Sequence, residues 1–306
     1  MKAEELRAKL HAFQGRHGIR SYPRVRDLYA VRQVLVRLQQ SEHADRFMLK
    51  GGMFVGAVLE DFHRTTRDAD VLAYGPPDPA QLKGAFEEIA AVELDDGVVL
   101  QHVQARLATR GADGYDGVKV VISAQVANEP AKASIDIGYG DAVVPEGEAI
   151  EVPKLFEGGE QLVMPAYSLG AFLAEKTETV VSGFPGKTLP RLKDFYDIAT
   201  VTHSWSTPMA GSTLLASFKA TFERRGTEPD AEVFEDVRAM AVEDGRMERE
   251  WADFKERVGV GDSELDLLVA IERVAAFTMP LLCALTEERA HEQIWVPGTG
   301  WGEGPN

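Results

Sequence analysis

Two aspartates stand two residues apart at the head of a short apolar run: Asp68 and Asp70 in RTTRDADVL, Arg64 to Leu72. A strand over Asp68 to Ala73 has a period of two, so it sends both carboxylates to one face while Ala69 and Val71 pack on the other. Carboxylates held side by side repel each other. A hard divalent cation such as Mg2+ relieves that repulsion with oxygen ligands. Lys50, Gly51 and Gly52 precede the pair at a short interval. Glycines there let the backbone approach an anion closely, and the N–H groups opening the next helix can bind it.

A third carboxylate fits the same chemistry. In KASIDIGYG, alternation puts Ala133, Ile135 and Ile137 on one face and Ser134, Asp136 and Gly138 on the other, so Asp136 projects to a polar side. Asp68, Asp70 and Asp136 together are the minimum set for two-metal phosphoryl transfer. One ion would orient a nucleoside triphosphate, the other would activate a hydroxyl, and Asp136 would help to deprotonate it. Either a Gly-Gly pair or an Asp-x-Asp alone is an ordinary occurrence; their order in one chain with a strand-borne third Asp gives them weight.

The remaining sequence sets the frame. Residues 1–40 carry two amphipathic helical patterns. Phe47 to Leu49 reads as a strand, Gly51-Gly52 as a tight turn and Met53 to Leu59 as a helix. DPAQLKGAFEEIAAVEL has an Asp start signal for a helix. The runs VVLQHVQARLA, VKVVISAQVA and KASIDIGYG, separated by turn residues, read as antiparallel strands. From Pro165 the pattern changes to long helices, ending near Leu285. The expected organisation is α+β: a mixed-sheet domain over residues 1–160 and a helical domain over 161–306 that completes a nucleotide cleft. The tail beyond Trp295 reads as disordered.

At 306 residues, the chain can bury an ample core. Its net charge of -16 argues against nonspecific coating of nucleic acid and leaves room for a local basic site. No apolar run is read as approaching the roughly 20 residues of a membrane span. The expectation is a cytoplasmic protein with no membrane partner. The single Cys283 reads as a buried inert thiol. GFPGKT, Gly183 to Thr188, ends like a phosphate-binding loop but has Val181 where the first glycine is required. The seven histidines lack zinc spacing, and Ser123 and Ser134 lack a nucleophile context. Trp295 is expected to pack, and Trp301 to have no role.

FMLKGGMFVGAVLEDFHRTTRDADVL, SIDIGYGDAV, and LAEKTETVV followed by RLKDFYDIATV occur here in one order, over residues from about 47 to 201. In these segments the chain resembles the AbiEii/AbiGii toxin family of DNA polymerase β-like nucleotidyltransferases, from abortive-infection and type IV toxin–antitoxin systems. Ala69 stands where the family usually has a larger aliphatic residue, and both carboxylates are kept. The resemblance implies a polymerase β-like domain and a helical C-terminal domain. It implies that Lys176 reaches the triphosphate and that Asp194 is the acidic residue near the active site, with Asp197 one turn along. Arg191 and Lys193 become added triphosphate or RNA contacts, Lys50 and Arg67 join Gly51 and Gly52 as nucleotide-binding residues, and Arg64, Arg67, Arg191 and Lys193 together would give the local positive field that the net charge lacks.

It also implies a Mg2+-dependent toxin that adds nucleotides to the 3′ end of tRNA, blocks aminoacylation and is countered by a cognate antitoxin. Two other outcomes keep the fold. One transfers the nucleotide to a small molecule or a protein hydroxyl, which the acidic surface mildly favours. The other is a catalytically inactive nucleotide-binding module, against which the intact Asp68, Asp70, Asp136 and Lys176 count.

Overall fold

A computed structural model describes residues 1–61, 66, 68–110, 115–184, 189–243, 245–260 and 264–303. Arg64, Arg67 and most of the GFPGKT segment lie outside the described residues. The chain divides into two compact units, one of residues 1–141 and 148–166, the other of residues 142–147 and 167–306.

The first unit opens with helices α1 (Ala3–Arg16) and α2 (Tyr22–Gln39). Strand β1 (Phe47–Lys50) runs directly into α3 (Gly51–Val58), and β2 (Ala69–Ala73) follows. The two glycines expected as a turn are thus the first residues of α3, and Asp68 sits one residue before the strand it was expected to begin. Helix α4 (Pro79–Ala90) starts where the sequence signals it. The Asp78 side chain accepts from the backbone N–H groups of Ala80 at 2.9 Å and Gln81 at 3.1 Å, and Pro79 needs no N–H partner in the first turn. Strands β3 (Val98–Arg110), β4 (Tyr115–Val126) and β5 (Glu129–Tyr139) form the antiparallel meander, followed by the small pair β6 (Ala149–Val152) and β7 (Leu162–Pro165).

The main sheet has the order β1-β2-β5-β4-β3 and is mixed, because β2 and β5 are parallel while every other pair is antiparallel. Its core face carries Leu49, Val71, Ile135, Ile137, Val118 and Val120, all buried. Helices α2 and α4 cover this face, with Phe86 of α4 against Phe47 of β1 at 5.6 Å between ring centroids. Arg37 of α2 is buried with them. Its guanidinium donates to both carboxylate oxygens of Asp96, at 2.6 and 3.2 Å, and to the carbonyls of Gln33, Val92 and Val98. A buried charge with every donor engaged in this way fixes the helix against the start of β3.

In the second unit α5 (Leu169–Gly183) is capped by Ser168, whose hydroxyl accepts from the Ala171 N–H. Helix α6 (Leu192–Ser204) leads through the two-residue β8 (Met209–Ala210) into α7 (Gly211–Arg225). Helices α8 (Glu232–Glu243), α9 (Gly245–Val258) and α10 (Leu267–Thr286) complete the helical layer. Contrary to the sequence expectation, α10 is long and apolar enough to cross a membrane. It packs against α6, α7 and α8, burying Ile271, Val274, Phe277 and Leu281. Glu272 and Arg273 break its apolar run in the sequence, which hid its length. Cys283 on this helix is partly rather than fully buried.

The tail also departs from expectation. Strands β9 (Ile294–Val296) and β10 (Gly300–Gly302) pair with each other, and β9 pairs with β8. Trp301 stacks on Phe277 with centroids 5.7 Å apart, and its indole N–H donates to the Ala276 carbonyl at 3.1 Å. The indole N–H of Trp295, packed as expected, donates to the Thr202 carbonyl at 2.8 Å. Two aromatic anchors outweigh the flexibility of the glycines around them.

Candidate active site

The face of the main sheet opposite the core carries the charge. Asp70 and Asp136 are direct register partners on the parallel strands β2 and β5. Asp68, two residues before Asp70, accepts a hydrogen bond from the Thr66 hydroxyl at 3.2 Å. Burial pushes the Asp68 carboxyl above the ordinary carboxylate range, and the neighbouring charges of Asp70 and then Asp136 push the same way; Thr66 and Lys119 oppose them weakly. The three aspartates expected to act together are therefore electrostatic neighbours. The parallel pairing of β2 with β5 brings them together from distant parts of the chain.

Gly51 is fixed here by two constraints. Its φ is +67°, and a Cβ at this position would lie 2.1 Å from Asp70 Oδ2. The Asp70 carboxylate thus rests on the backbone that opens α3. Lys50 is the register partner of Asp70 on β1, and its ammonium donates to Asp141 Oδ2 at 2.6 Å. That ion pair is nearly sealed from solvent, and a Cβ on Gly138 would come within 3.4 Å of Lys50 Nζ. Lys50 is thus engaged by the residues just past β5. Asp141, unremarked in the sequence, stands two residues beyond Tyr139 in the same IDIGYGD stretch.

Lys119 of β4 is the other residue that sequence reasoning passed over. It faces Asp136 in register and donates to both carboxylate oxygens at 3.0 Å. The signal was one cation between Val118 and Val120 in a strand otherwise built for the core.

The sequence-expected residues of the second unit form their own cluster. Lys176 of α5 lies 2.6 Å from Asp194 Oδ1 and 2.7 Å from Asp197 Oδ2, both on α6 and both buried. The i, i+3 spacing of the aspartates puts both on the helix face that meets Lys176. Arg191 Nε lies 3.2 Å from the second oxygen of Asp194. Lys193 is on the exposed side of the same helix.

Donor chemistry suits a hard divalent cation at Asp68, Asp70 and Asp136: the carboxylates are close enough to perturb one another, and an ammonium already spans both oxygens of Asp136. Among the described residues, no three acidic, histidine or cysteine side chains are gathered into a metal cage as they stand.

A crystal structure of JHP933 from Helicobacter pylori has a TM-score of 0.50 to this chain at 14% sequence identity, covering 88% of this chain and 95% of that one. At that identity the likeness is one of fold. A second H. pylori crystal structure, at 13% identity and a TM-score of 0.47, covers 87% of this chain and 97% of the other. A search of curated proteins by sequence finds no match. The family described as nucleotidyl transferase AbiEii toxin, type IV TA system, matches residues 33–276, a span that includes every aspartate of both clusters. The chain therefore belongs to the AbiEii family of nucleotidyltransferase toxins from type IV toxin–antitoxin systems, enzymes whose donor is a nucleoside triphosphate and whose partner is a cognate antitoxin.

Proposed function

We propose that this nucleotidyltransferase uses Mg2+ held by Asp68, Asp70 and Asp136, and that its acceptor is the 3′ end of tRNA. The observation that carries the metal reading is the cross-strand pairing of Asp70 with Asp136, with Asp68 beside them and its carboxyl raised by burial and then by their charges. When bound, the ion supplies charge neutralisation for the triphosphate and a lowered pKa for the attacking hydroxyl. The chain's own residues do the positioning. The backbone at Gly51 and Gly52 offers N–H groups to phosphate oxygens at the start of α3. Asp70 is held against that backbone, and Asp136 accepts the hydroxyl proton.

The tRNA acceptor rests on the likeness to the family and on motif order. So do the roles of Lys176 and Asp194 at the triphosphate and of Arg67, Arg191 and Lys193 as added phosphate contacts. Such an acceptor places the protein in the cytoplasm. Addition at the 3′ end blocks aminoacylation, which accounts for toxicity and for the need of an antitoxin.

The test is incubation of the purified protein with Mg2+, each labelled nucleoside triphosphate in turn, and total tRNA, alongside Asp68→Ala. Label on tRNA that disappears in the variant supports enzyme, acceptor and nucleotide together. Nucleotide binding without label on tRNA would sink the tRNA reading and direct the search to small-molecule or protein hydroxyls.

A further inference from the structure

Charge runs across the whole sheet in a single line. Lys50, Asp70, Asp136, Lys119 and Arg106 are successive register partners on β1, β2, β5, β4 and β3. Register partners on neighbouring strands project from the same face. Each strand thus contributes one charged residue to this line on the face that bears the aspartates. Lys119 is not required by the core, which Val118 and Val120 supply from the other face of β4.

Lys119 Nζ lies 3.0 Å from both Oδ1 and Oδ2 of Asp136, as a cation shared by the two oxygens. The side chains are 27% and 20% exposed, so water reaches the pair. By contrast, the structural pair Arg37–Asp96 is 3% and 0% exposed. A half-buried lysine–carboxylate pair that water reaches is held less firmly than a sealed one, and one partner can leave it at lower cost. A divalent ion bound by several carboxylates is the stronger competitor for Asp136.

We propose that Lys119 is a positioning residue that holds the Asp136 carboxylate while no metal is bound and yields it to the divalent cation, so that it sets the cation concentration at which the site fills. This rests on the reading of Asp68, Asp70 and Asp136 as metal ligands. Removing the ammonium removes both a competitor for Asp136 and a positive charge beside the bound ion. Metal binding then tightens. A lysine that only propped up Asp136 would give the opposite result, because its loss would let the ligand wander.

The experiment is titration of the full chain with Mn2+, without nucleotide, at fixed pH and ionic strength, followed by the loss of the free-Mn2+ electron paramagnetic resonance signal. Lys119→Gln is expected to bind Mn2+ roughly three- to tenfold more tightly than the parent. Lys119→Met, a second uncharged variant, should do the same if the glutamine folds poorly, and Lys119→Arg should stay near the parent. Thermal unfolding without metal identifies a misfolded variant. Equal or weaker binding in both uncharged variants overturns the proposal, as does the absence of binding in the parent and both variants. If Asp136→Asn loses Mn2+ while the Lys119 variants match the parent, this inference fails and the metal reading stands. If Mn2+ binds equally well to Asp68→Asn, Asp70→Asn and Asp136→Asn, the metal reading itself fails.

Discussion

Asp136 on β5 stands directly opposite Asp70 on β2, on parallel neighbours in the middle of the sheet. Substituting Asn at either position keeps the shape and removes one charge from the set. Nucleotidyl transfer is expected to fall by about two to three orders of magnitude in Asp70→Asn and in Asp136→Asn. Circular dichroism should stay that of the parent. Activity within tenfold of the parent in either variant would remove that residue from the metal set.

Gly51→Ala is expected to harm activity more than its backbone strain alone explains. Gly18 has a similar φ of +60° with open space around it, whereas a Cβ at Gly51 would overlap Asp70 Oδ2. Alanine at either position costs roughly 1–3 kcal/mol in backbone strain. Only at Gly51 does it also displace the Asp70 carboxylate. Denaturant unfolding and transfer assays on both variants test this; equal activity in the two would mean that the contact with Asp70 is dispensable.

Stability should depend on pH through Asp68. Its carboxyl is raised by burial and by the charges of Asp70 and Asp136, so the folded state binds a proton more readily than the unfolded chain does. The stabilising effect of protonation is therefore full below the ordinary carboxylate range and is lost as pH rises through the raised folded value. Asp68→Asn, uncharged at every pH, should raise the metal-free Tm at neutral pH and lose that advantage in acid. A Tm difference that does not change between about pH 4 and about pH 8 would contradict the assignment.

Lys176 has a structural cost that any activity assay must separate. Lys176→Met leaves Asp194 and Asp197 buried without their shared ammonium, and breaking a buried pair costs about 3–5 kcal/mol. Lys176→Met with Asp194→Asn and Asp197→Asn should recover much of that stability. If the triple variant is stable but inactive, Lys176 or its aspartates act in the reaction as well as in folding. A single Lys176→Met as stable as the parent would show that the ion cluster contributes little.

Much of the fold is legible in the amino-acid order alone. Alternation in SIDIG assigns Asp136 to the polar face and Ile135 and Ile137 to the core, and both isoleucines are buried. The Asp78 cap, the antiparallel meander and the helical second half are written in local signals, because caps, turns and periodicity act within a few residues. The end of α10 near Leu285 is written there too, but its long apolar run and the Trp301 anchor are not, since the first hides behind two charges and the second depends on Phe277, which packs on it from a different element.

The sequence by itself determined which residues carry charge, which face of each strand they take, and that three aspartates, a lysine and a glycine pair occur in the family's order. Tertiary structure decided the partners. Register placed Lys119 on Asp136 and Gly51 beneath Asp70, and helix packing set Lys176 between Asp194 and Asp197. The division has a physical reason. Side-chain direction follows from local backbone geometry, but which charge meets which depends on strand order and helix packing, fixed only when the apolar faces close on a common core.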